Sequence, residues 1–79
     1  MAEYNFSVVL KTLDYDIKID PSELYGYFEH QLGGEGGLWF QMTDNDELEL
    51  IDYDGVYQLP TQVAYALRKA GYLVDESFD

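Results

Sequence analysis

The chain has 79 residues, with sixteen Asp and Glu against four Lys and Arg for a net charge of −12, and no cysteine. That length allows one domain with a thin stability margin, and the missing cysteines exclude disulfides and thiolate zinc sites. The charge repels nucleic acid and anionic membrane, whereas a hydrophobic content of 47% argues against disorder.

Eight Tyr, four Phe and one Trp must then supply the packing mass. No apolar run approaches the roughly 20 residues that span a bilayer, and no basic segment followed by an apolar one opens the chain at Met1. A single domain over residues 1–79 in the cytoplasm is the expectation, with 75–79 as a frayed acidic tail.

Residues 4–11 alternate, with Tyr4, Phe6, Val8 and Leu10 on one side and Asn5, Ser7, Val9 and Lys11 on the other, which predicts a half-buried strand. Residues 14–20 repeat the pattern, with Tyr15, Ile17 and Ile19 inward, and Thr12-Leu13 turns between the two. Asp20 as a cap, Pro21 in the first turn, Glu23 three residues after the cap and the stripe Leu24, Phe28, Leu32 predict a helix that Gly33-Gly34 stops. The run Gly33 to Gly37 reads as a loop; no Lys, Ser or Thr follows it, and Glu35 is wrong for a phosphate cradle.

Leu38 to Met42 and Glu47 to Tyr53 are predicted strands around the turn Thr43-Asp44-Asn45-Asp46. The assignment of faces becomes ambiguous at Ile51. Asp54-Gly55 signals a tight turn into a brief extended segment at Val56 to Gln58. A last helix opens at Pro60 with a stripe of Val63, Leu67 and Ala70, flanked by Ala66. Arg68 and Lys69 lie in its final turn, Gly71 closes it, and Tyr72 to Val74 fold back on the core. The expected architecture is α+β: a small, mainly antiparallel sheet of three to five strands with two helices packed on one face.

Catalysis finds little support. The lone His30 is expected to be a solvated surface residue beside Glu29, and Ser7, Ser22 and Ser77 lack any nucleophile-elbow context. A calcium loop starting at Asp44 fails because positions five and six are Leu48 and Glu49; one starting at Asp14 fails at Lys18 and Ile19. No catalytic residue, metal or cofactor is therefore expected. The acids themselves are patterned: Asp14, Asp16, Asp20, then Asp44, Asp46, Glu47, Glu49, Asp52 and Asp54. Spacing of i, i+2 on a strand places carboxylates about 6.6–6.8 Å apart on one face, close to the repeat of phosphates along a nucleic-acid strand. Tyr53 and Tyr57 flank the Asp54-Gly55 turn, and Tyr25 and Tyr65 sit off the apolar stripes, where exposed tyrosine suits an interface. The predicted partner-binding set is thus these nine acids with Tyr53 and Tyr57, centred on Asp52-Tyr53-Asp54.

In size, charge, lack of cysteine and acidic strands, the chain resembles, as a class, the small phage-encoded anti-defence proteins, anti-CRISPR and anti-restriction DNA mimics. The resemblance implies stoichiometric inhibition of a basic, nucleic-acid-binding host protein, such as a CRISPR effector or nuclease, in the host cytoplasm. It implies no cofactor, no direct nucleic-acid or membrane binding, and a monomer or homodimer. Two alternatives share the electrostatics: an immunity protein or antitoxin against a basic toxin, and a salt-adapted acidic domain without a specific partner.

Overall fold

The computed structural model describes residues 8–55 and 59–78. Six strands, β1 (Val8–Lys11), β2 (Tyr15–Asp20), β3 (Tyr25–His30), β4 (Glu35–Met42), β5 (Leu48–Asp54) and β6 (Leu73–Val74), form one sheet whose spatial order follows the chain. The first five pair antiparallel with their sequence neighbours, and β6 adds parallel to β5 through Glu49↔Leu73 and Leu50↔Val74. The single α-helix of the described residues, α1 (Thr61–Lys69), supplies the crossover to β6, and a 3₁₀ turn spans Glu76–Phe78.

One face of the sheet carries the core. Ile17, Ile19, Phe28, Leu38, Phe40, Leu48 and Leu50 point to it, and Leu59, Val63, Ala64 and Leu67 close it from the helix side. Each large side chain removed from water there contributes about 1.5–3 kcal/mol. Tyr15 packs edge-on against Phe28 and Tyr53 edge-on against Phe78, while Tyr72 lies tilted against Phe40, extending the core with aromatic rings. At the helix start the Pro60 carbonyl accepts from the Val63 and Ala64 N–H groups. At its end Gly71 adopts φ +100°, letting the Tyr72 N–H reach the Leu67 carbonyl at 2.9 Å. The stripe differs by one position from expectation: Ala64 is buried and Ala70 is exposed.

The expected pair of helices on a three-to-five-strand sheet is corrected by the segment from Asp20 to His30. The Asp20 carboxylate accepts the Ser22 N–H at 3.0 Å and the Ser22 hydroxyl at 2.6 Å, so the cap-like signal closes a turn instead of opening a helix. Leu24 then takes φ +57°, which reverses the chain. From Tyr25 the residues alternate, with Gly26, Phe28 and His30 on the core side and Tyr25, Tyr27 and Glu29 on the other. Leu32, expected on a buried stripe, is 92% exposed. Gly33 and Gly34 do take positive φ, but they close a hairpin in which the His30 N–H donates to the Gly34 carbonyl at 2.8 Å. The rest of the glycine run is strand: a Cβ on Gly36 would collide with the Asp54 carbonyl and the Phe28 ring. The segment Val56 to Gln58 and residues 4–7 of the first predicted strand lie outside the described residues.

Candidate partner-binding face

The side of the sheet away from α1 is assembled by strand alternation. The register aligns Asp20, Tyr25, Trp39 and Asp52 across β2, β3, β4 and β5. The next row holds Val9, Lys18, Tyr27, Gly37 and Asp54, and the one after it Lys11, Asp16, Glu29 and Glu35. On the opposite flank lie Gln41 and Glu49, whose side chains bond at 2.7 Å, and beyond them the β4–β5 turn. The face thus has an aromatic centre with carboxylates on every side.

The aromatic centre is ordered by its neighbours. Tyr25 and Trp39 meet edge to face with ring centroids 5.3 Å apart, and both reach over the bare backbone of Gly37. A Cβ at Gly37 would stand 2.9 Å from the indole and 3.0 Å from the Tyr25 hydroxyl, so a larger residue would push the two rings from this position. The Lys18 ammonium lies 5.6 Å from the centre of the Tyr27 ring, whose hydroxyl donates to Glu29 at 3.0 Å. That hydrogen bond, with partial burial, raises the Tyr27 pKa above the usual tyrosine value. Asp20 is held below the usual carboxylate value, chiefly because the Ser22 hydroxyl donates to it, so it keeps its charge.

The acids are poorly compensated. Asp16, Glu29 and Glu35 stand abreast on three adjacent strands, an arrangement in which like charges directly opposite destabilise the sheet. Lys11 approaches Asp16 at 4.0 Å from the edge, between exposed groups where an ion pair contributes little.

The predicted binding set divides. Asp16, Asp20, Glu49, Asp52 and Asp54 come together on this face. Strict alternation from Leu48 would send Asp52 and Asp54 into the core; an extra, unpaired residue at Ile51, between the pairs Phe40↔Leu50 and Trp39↔Asp52, resets them outward. Tyr53 goes the other way and rests edge-on against Phe78, so the Asp52-Tyr53-Asp54 run contributes its acids and not its ring. Asp14 is turned toward the helix and accepts from Gln62 at 2.9 Å. Asp44, Asp46 and Glu47 are exposed in the β4–β5 turn, where the Thr43 hydroxyl accepts the Asn45 and Glu47 N–H groups. Tyr57 lies outside the described residues. Sequence reasoning misses Glu29, Glu35, Tyr27 and Trp39 as members of the face; the alternation of Tyr25, Tyr27 and Glu29 is the signal that would have found them.

Among the described residues no three acidic or histidine side chains converge so as to hold a metal ion. Nor, among the described residues, is any helix long and apolar enough to cross a membrane. An open groove of about 670 Å³ lies elsewhere, between α1 and the β1 end, lined by Leu10, Leu13, Tyr65 and Ala66 with Lys11 and Lys69 at its wall and no carboxylate. Its chemistry is opposite to that of the acidic face. No protein-family model, curated protein or solved structure matches the chain.

Proposed function

We propose that this protein is a non-enzymatic, acidic inhibitor that uses the helix-free face of its sheet to occupy the nucleic-acid-binding surface of a basic protein. The observation that carries this reading is the gathering of Asp16, Asp20, Glu29, Glu35, Glu49, Asp52 and Asp54 on one face from four different strands. The acids on β2 and those on β5 are three strand spacings apart, roughly 14 Å. This is comparable to the width of a DNA major groove, about 12 Å, so the two rows offer charge at separations a phosphate-reading surface accepts. Seven carboxylates against Lys11 and Lys18 leave the face strongly negative, and that imbalance favours a partner that supplies the counter-charge.

The test is capture of a nucleic-acid-binding protein at low salt, followed by competition with duplex DNA. Displacement by DNA and a steep loss of affinity with added salt support the reading; a partner that binds DNA and this protein at once would overturn it. Replacing both Asp52 and Asp54 by Asn should weaken binding roughly tenfold while leaving the thermal transition in place.

A further inference from the structure

Resting on the reading of this face as the acceptor of a basic partner, we propose that its aromatic centre is a seat for an arginine side chain of that partner. Trp39 is 39% exposed in the middle of the sheet, and among the described residues no side-chain cation stacks on it. Lys18 already demonstrates the geometry one position away, its ammonium lying over the neighbouring Tyr27 ring. The row Asp20, Tyr25, Trp39, Asp52 places a carboxylate at each end of the two rings. A planar guanidinium stacked on the indole can then pair through its edge with Asp52, a combination of stacking and forked hydrogen bonding that an ammonium cannot reproduce.

Charge decides the occupant. A nucleobase would also stack on Trp39 and Tyr25, but its phosphates would meet Asp52, Asp54, Asp20 and the Asp16-Glu29-Glu35 row. A second copy docking the same face would set the two acidic rims against each other. An arginine-bearing surface meets neither obstacle.

Trp39 is the sole tryptophan, so its emission reports directly on the seat. Octa-arginine and octa-lysine peptides carry equal charge, and titration of the intact protein with each separates stacking from net attraction. Octa-arginine should bind roughly 3- to 30-fold more tightly and change the Trp39 emission. In calorimetry Trp39→Ala should lose that preference while retaining the octa-lysine affinity. Equal binding of the two peptides with unchanged emission overturns the arginine seat but leaves the charge-based function standing; if neither peptide binds, both are overturned. Quenching by an octathymidylate strand would give the rings to bases, and emission that changes with protein concentration alone would give them to a second copy; either result overturns the proposal. The wild-type peptide comparison needs no variant, so it holds even if Trp39→Ala does not fold.

Discussion

Single side chains on the acidic face are placed against the interest of stability. Glu35 is exposed at the start of β4, directly opposite Glu29, and Glu29 in turn faces Asp16. Glu35→Lys should convert a repulsive cross-strand pair into an attractive one, raising stability by about 0.5–1 kcal/mol in a urea melt. The same change should weaken partner binding, so stability and affinity should move in opposite directions. A variant of unchanged stability would show that the repulsion is already relieved by solvent. At this scale the sequence exposes part of the site. Asp16, Asp20, Glu49, Asp52 and Asp54 are legible from i, i+2 spacing, whereas Glu29 and Glu35 disappear once their segments are assigned to a helix and a loop.

That assignment fails at the level of elements for a definable reason. Leu24, Phe28 and Leu32 are spaced by four, an interval that keeps residues on one side of a helix and equally on one face of a strand. The spacing therefore cannot discriminate, and the decision falls to residue type: Tyr25, Tyr27 and Phe28 favour a pleated sheet, and Gly26 weakens a helix interior. Where turn chemistry and period agree, as in β2, the Thr43 to Asp46 turn and α1, the sequence and the structure coincide. The ambiguity at Ile51 is also physical, because two residues of β5 there oppose one of β4. Deleting Ile51 should turn this irregular pairing into one-for-one pairing without exchanging faces. We expect a cooperative thermal transition, a cost within about 1–2 kcal/mol and unaltered Trp39 emission. Loss of cooperative unfolding would mean that the local bend, and not only the count of residues, holds β4 against β5.

For the molecule as a whole, a charge of −12 on 79 residues opposes compaction, while a core that among the described residues comprises eleven buried apolar side chains holds the fold together. Screening falls within about 10 Å at 0.1 M salt, comparable to the separations across the acidic face. Added sodium chloride should therefore raise the melting temperature, by about 4–8 °C for each kcal/mol of repulsion relieved, with the protein still folded at low salt. Unfolding on removal of salt would instead favour a salt-adapted domain without a partner. The strand order has a kinetic consequence. Because β1 to β5 each pair with the next strand in sequence, the sheet can zip up hairpin by hairpin, with only short loops to close. The helix and β6 come last in the chain, so a sheet formed before α1 docks would present Ile17, Ile19, Phe28, Leu38, Phe40 and Leu50 to water. Such a species would be prone to self-association, and mutual repulsion between the acidic chains would keep them apart during that interval. The acidity that burdens the finished fold would thus protect it while it is being made.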